Sequence, residues 1–228
     1  MHRILAFFAL LVLSAAASAL DLSEISNRDA VAGLKEALAK GTSTAVGKLG
    51  VENGFFGDER VRILLPESMK KTENLMRRLG MGKQADELIL RMNRAAEAAV
   101  PEAQAVFVDA ITAMSVADAR AILTGGDDAA TQYFRRTMSD ALTRRFHPIV
   151  VHAMEKVQLA ESYDRFASRA SRLGLVKKGD ANLEDYITGR ALDGLFLMIA
   201  EEEKRIRANP AQEASSILRK VFGALIHN

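Results

Sequence analysis

Three consecutive carboxylates, Glu201, Glu202 and Glu203, follow an apolar run, and grouped carboxylates are a common means of general acid–base work. Their spacing argues for something plainer: Glu201 with Arg205 and Glu203 with Arg207 are four-residue neighbours, the ordinary ion pairs of a helix surface. A second set says more. In Arg94–Ala99 four alanines surround Glu97 and let helices approach on several sides. At about 100° per residue, Asp86, Leu90, Asn93 and Glu97 form a stripe beside the apolar face of Leu88, Met92 and Ala96, which puts Asn93 and Glu97 at a packing boundary. The functional reading has them face a polar pocket closed by a later helix that supplies Arg190 as the cation. The plainer reading pairs Glu97 with Arg94 at the surface and Arg190 with Asp193. Thr131 and Tyr133 complete the candidate ligand-binding set. The Thr131 hydroxyl is also the nucleophile of an enzymatic alternative, and Tyr133 with Phe134 near Phe146 reads more simply as core.

Other chemistries fail on their context. Gly80, Met81, Gly82, Lys83, Gln84 and Ala85 have the spacing of a dinucleotide fingerprint, but a helical stretch, Thr72–Leu79, stands where that motif needs a strand. The two glycines read as a turn between helices. His147 and His152 are five residues apart and do not share a helical stripe, and His227 lies near the end. No phosphate loop or nucleophile elbow occurs, so neither a metal nor a cofactor is expected.

The elements that would position these residues are helical. Between Ile187 and Ala200 there are two charges, Arg190 and Asp193, and a helix apolar on nearly every side is a domain core or a membrane span. Charged Glu201–Arg205 follows too soon for a span, so Asn182–Arg207 is expected as the central helix of a bundle. Asn182 should cap it, and Gly189 and Gly194 inside it suggest a close helix neighbour. Upstream, Ser26 and Asp29 open a helix that Gly41 interrupts and Gly50 ends. Glu67–Leu79 and Lys83–Val100 are further helices, and Pro101 resets the chain into the next. Ser115 with Asp118 forms a capping box, Asp127 or Asp128 starts a helix to Phe146, and Pro148 begins another. Tyr163–Leu173 follows, then a surface loop at Lys177–Asp180. Asn209, Pro210 and Gln212 lead the last helix. Val61–Leu65, β-branched and apolar, is the one candidate for a short β-ribbon.

Composition bounds the rest. The 228 residues include no cysteine, so stability must come from a packed core. His2 and Arg3, the apolar Ile4–Leu13 and the small residues Ala17, Ser18 and Ala19 have the form of a cleaved signal peptide, with a mature start at Leu20. That leaves residues 20–228 as a single helical domain without a transmembrane segment. The formal charge of +2, further reduced by loss of Arg3, argues against nucleic acid as a partner.

Several pieces resemble the exported bacterial family termed domain of unknown function 4197. These are Met92–Glu97; Met114 with Asp118, Ala119, Ile122 and Leu123; Ala130, Thr131, Tyr133 and Phe134; Phe146, Pro148 and Ile149; and Gly194–Phe196 with Glu202, Glu203, Ile206, Arg207, Asn209 and Pro210. The resemblance implies an exported, mainly helical, single-domain protein and brings no reaction, ligand or catalytic residue. Some members look like lipoproteins, an anchoring this cysteine-free chain cannot use. The expectation is an all-α periplasmic or secreted protein that binds a small ligand or an envelope partner without catalysis. The alternatives are a hydrolase or transferase using carboxylates or Thr131, and an envelope scaffold.

Overall fold

The computed structural model describes residues 27–172 and 182–226, which form eight α-helices, one 3-10 turn and, among the described residues, no strand. The helices are α1 Asn27–Leu49, α2 Glu67–Arg78, α3 Gly82–Ala113, α4 Val116–Leu123, α5 Ala129–Lys156, α6 Leu159–Arg172, α7 Leu183–Ala208 and α8 Ser216–Ile226. The expected signal peptide, the Ser26 cap, the Lys177–Asp180 loop and His227 lie outside the described residues.

Two helices share the centre. The expected core helix, α7, packs against α1, α5, α3 and α8, while α3 packs against α1, α5, α6 and α2. They meet through Phe107 and Phe196, whose rings sit edge to face with centroids 5.7 Å apart. The buried apolar side chains form one connected cluster from Ala30 on α1 to Phe222 on α8.

Local signals hold where they are self-contained. Ser115 and Asp118 form a reciprocal capping box at α4, and Asn182 accepts a hydrogen bond from the Asp185 amide at the start of α7. Gly80, at φ +73°, turns α2 into α3 as the two-glycine reading requires. Gly194 lies so close to the Phe55 ring that a Cβ would sit 2.7 Å from it, whereas Gly189 faces open space. Close packing therefore explains the first glycine and not the second.

Three expected breaks are continuous helix. α1 runs through Gly41, which brings its backbone near Glu202 of α7. α3 runs through Pro101 and α5 through Pro148. A proline costs a helix one internal hydrogen bond, and burial of the flanking Val100 and Ala103, or Phe146 and Val150, holds each helix together across it. The last helix also differs from expectation: Pro210–Gln212 is a separate 3-10 turn, and α8 starts only at Ser216.

Val61–Leu65 has the alternation of a strand, with Val61, Ile63 and Leu65 buried and Leu64 exposed, but it pairs with no other strand. The expected β-ribbon is replaced by an extended segment whose partner is a side chain. Asn93 on α3 accepts a hydrogen bond from the Ile63 amide at 2.9 Å and donates to the Ile63 carbonyl at 2.8 Å. The Tyr186 hydroxyl on α7 donates to the carbonyl of Leu64.

Candidate functional site

Of the five residues singled out from the sequence, four belong to the bundle's internal joints. Asn93 is fully buried and its carboxamide is used up by Ile63 and by the Ile89 carbonyl. Glu97 is buried one turn further along α3. Its Oε1 accepts from the amides of Phe55 and Phe56 at 3.1 Å each, and its Oε2 pairs with Arg94. Together the two side chains pin residues 55–63, an irregular segment lying over the packing boundary that the helical wheel located. Arg94 also reaches Glu52 and the Asn53 side chain, so the partner named by the plainer reading is right while the surface setting is not.

Arg190 does not join them. It is about half exposed and lies 3.6 Å from Asp193, which is held more closely by Arg135 of α5 at 3.0 Å. The guanidinium of Arg135 also covers the face of Phe196. The shared pocket of Asn93, Glu97 and Arg190 is therefore replaced by two separate arrangements, because Arg190 is exposed on α7 beside Asp193 while Glu97 is buried and held by Phe55, Phe56 and Arg94.

Thr131 lies in a second buried polar joint. Glu203 of α7 accepts from the amides of Ala130 and Thr131 and from the Thr131 hydroxyl, at 3.1–3.3 Å. Asp128, which precedes α5, makes no side-chain cap, so a residue of another helix caps α5 in its place. Arg207 completes the joint by pairing with Glu203 at 2.9 Å and donating to the carbonyls of Ile122 and Leu123 at the end of α4. A carboxylate thus meets a helix start and a guanidinium meets a helix end, as the two dipoles favour. Burial pushes the Glu203 carboxyl up, and its amide and Arg207 hydrogen bonds offset this only in part. The Thr131 hydroxyl is enclosed in this joint. Tyr133, half-buried, stacks edge to face on Phe134, and burial followed by its hydrogen bond to Asp118 raises its hydroxyl.

Of the two helix pairs expected in the carboxylate triple, Glu203 with Arg207 forms and Glu201 with Arg205 does not. Glu202 is bound by Lys48 of α1 at 2.7 Å and by Arg205 at 2.9 Å, and Glu201 pairs with Arg60. Arg205 also reaches the buried Glu213, which pairs with Lys40. This ladder ties α1, α7 and the segment after the 3-10 turn together, and its acids are occupied by cations rather than poised for proton transfer.

An accessible binding volume lies elsewhere. Gln158, with a left-handed φ of 54°, breaks the chain between α5 and α6, and the start of α7 runs alongside. The resulting groove of about 550 Å³ has a floor that includes Val151, Met154, Leu159 and Leu183. Glu155, Glu161 and Glu184 stand exposed among its lining residues. Their neighbours offer little compensation: His152 is 3.6 Å from Glu155, His147 is 3.8 Å from Glu184 and Arg165 is 3.7 Å from Glu161. The volume falls in the usual range of small-molecule sites. None of the five sequence candidates lines it. A break between the segment begun by Pro148 and Tyr163–Leu173 is visible in the sequence, but the left-handed turn at a glutamine that opens the groove is not.

A family profile described as "Protein of unknown function (DUF4197)" matches residues 24–223. The chain belongs to this family. No curated protein and no solved structure matches it. In this DUF4197 member the pieces of sequence that carry the resemblance build joints: Asn93, Arg94 and Glu97 the clamp on residues 55–63, and Ala130, Thr131, Glu203 and Arg207 the sealed helix ends. Among the described residues of the DUF4197 chain, no cluster of His, Cys, Asp and Glu has the arrangement of a metal site, and no helix is long and apolar enough to cross a membrane.

Proposed function

We propose that this chain is an exported envelope protein that binds, without catalysis, a small ligand with an apolar body and a cationic head in the groove between α5, α6 and the start of α7. The observation that carries this reading is the pairing of an apolar floor with three exposed, weakly compensated carboxylates. Apolar area supplies affinity and the charges select the sign of the head group. The enclosed carboxylates and the Thr131 hydroxyl, by contrast, leave little for a substrate to reach. Export rests on the form of residues 1–19.

Calorimetric titration with n-octylammonium and, in parallel, n-octanoate tests the binding. The amine should bind saturably and the acid should not. Replacing all three rim carboxylates with glutamine should weaken the amine by roughly tenfold, or about 1.4 kcal/mol. Equal binding of both probes, or none, would remove the proposal, and recovery of a cross-linked envelope protein through this face would favour a protein partner instead. For export, the intact mass of periplasmic material should begin at Leu20; a retained Met1 would count against it.

A further inference from the structure

We propose that the cleft between the first turn of α3 and the second half of α6 binds a phosphate group. Its volume is about 330 Å³, and it is lined by Gln84 on α3 and by Asp164, Arg165, Ser168, Arg169 and Arg172 on α6. The spacing of Arg165, Ser168, Arg169 and Arg172 puts them on one helical stripe. Arg165 is already engaged, by Glu87, Glu161 and the Ser162 hydroxyl. Arg169 and Arg172 have no acid partner among the described residues. Their place in the last turn of α6 suits the helix dipole, but the dipole does not require both guanidinium forks to flank a cleft.

The opposite wall adds two observations. Gln84 presents a buried carboxamide oxygen that has no hydrogen-bond partner. An unpaired buried polar atom costs about 1–3 kcal/mol, which favours a rotamer that swings this carboxamide into the cleft. There it offers an N–H donor to a bound group. Gln84 also belongs to the first turn of α3, which has no acidic residue and no side-chain cap. The amides of an uncapped helix start attract negative charge. Two guanidinium groups with no acid partner among the described residues, a hydroxyl and a swung carboxamide together provide donors around a tetrahedral anion. Two uncompensated positive charges match the dianion of phosphate or a phosphate monoester better than a carboxylate. Asp164, which already has a partner of its own, also lines the cleft and opposes this charge, which favours a ligand bound toward the Arg169 and Arg172 side.

The experiment is titration of the full chain with inorganic phosphate, followed by ³¹P line broadening and calorimetry at ionic strength held constant with sodium chloride. Saturable binding is expected, and the R169Q/R172Q variant should weaken it by at least about tenfold. Both arginines are exposed, so this variant should keep the wild-type circular dichroism and melting temperature. Ser168→Ala should give a smaller loss. Co-sedimentation with phosphatidylcholine vesicles, with and without phosphatidate, distinguishes the sources of the phosphate. Retention only with phosphatidate, abolished in R169Q/R172Q, assigns the site to a lipid headgroup; phosphate binding without vesicle retention assigns it to a soluble phosphate. Absence of saturable binding to both probes, or binding unchanged in R169Q/R172Q, would overturn the proposal.

Discussion

The carboxamide of Asn93 gives Ile63 both hydrogen bonds that a neighbouring strand would provide, its Oδ1 accepting from the Ile63 amide at 2.9 Å and its Nδ2 donating to the Ile63 carbonyl at 2.8 Å. A single side chain on a helix thereby replaces a strand. Asn93→Ala should leave a buried amide and a buried carbonyl unpaired and lower stability by roughly 2–6 kcal/mol, at about 1–3 for each stranded group. Urea denaturation measures this, and amide exchange at Ile63 should quicken in step. A loss within about 0.5 kcal/mol, the usual range of surface changes, would show that the contact is dispensable.

Glu97 and Arg190 should behave as strangers. Glu97→Ala strands the Phe55 and Phe56 amides and takes from Arg94 its buried partner, leaving it Glu52 and Asn53, for an expected cost of about 3–5 kcal/mol. Arg190→Gln loses one exposed pair and should cost under about 1 kcal/mol. The double variant should equal the sum within about 0.5 kcal/mol. A larger coupling energy from the denaturation cycle would restore the shared pocket.

The two glycines of α7 should respond with opposite signs. Gly194→Ala drives a Cβ into the buried Phe55 ring and should destabilise by roughly 1–3 kcal/mol. Gly189→Ala meets nothing and should stabilise by roughly 1 kcal/mol through helix propensity. Paired melting curves decide it, and a stabilising Gly194→Ala would mean that the ring yields freely.

The buried acids predict a divided response to pH. Burial acts to raise Glu202 and Glu213, but the hydrogen bonds of Lys48 and Arg205 to the first, and of Lys40 and Arg205 to the second, hold both below the ordinary 4.5. Their contribution is present above the unfolded value and is lost as pH falls through the lowered folded values. Glu203 has the opposite sign: raised by burial, it costs stability as pH rises from 4.5 through its folded value. Urea midpoints should therefore drop below pH 4.5 in the wild type and flatten there in E202Q/E213Q. E203Q should instead alter the slope above pH 4.5. An unchanged acid limb in E202Q/E213Q would show that the ladder is not titrating.

What was legible in the sequence is what short-range geometry decides. The Ser115 box, the Asn182 cap and the turn at Gly80 involve neighbours within four residues. The breaks assigned to Gly41, Pro101 and Pro148 failed because propensity is a local cost that distant packing outweighs. Burial of Asn93 and Glu97 was foreseeable from the alanines around them, but their partners are 30 to 42 residues away along the chain. The four-residue rule finds Glu203 with Arg207, but Lys48 and Glu202, 154 residues apart, and Arg60 and Glu201, 141 apart, are beyond any spacing rule.

The cap that Glu203 places on α5 sets an order of events. Its bonds to Ala130 and Thr131 span 73 and 72 residues, so the first turn of α5 gains its acceptor only after α7 has been synthesised and has docked. Closing so long a loop is paid for before the cap forms. The start of α5 should accordingly be unformed in the folding transition state, and Thr131→Ala should speed unfolding while leaving the refolding rate nearly unchanged.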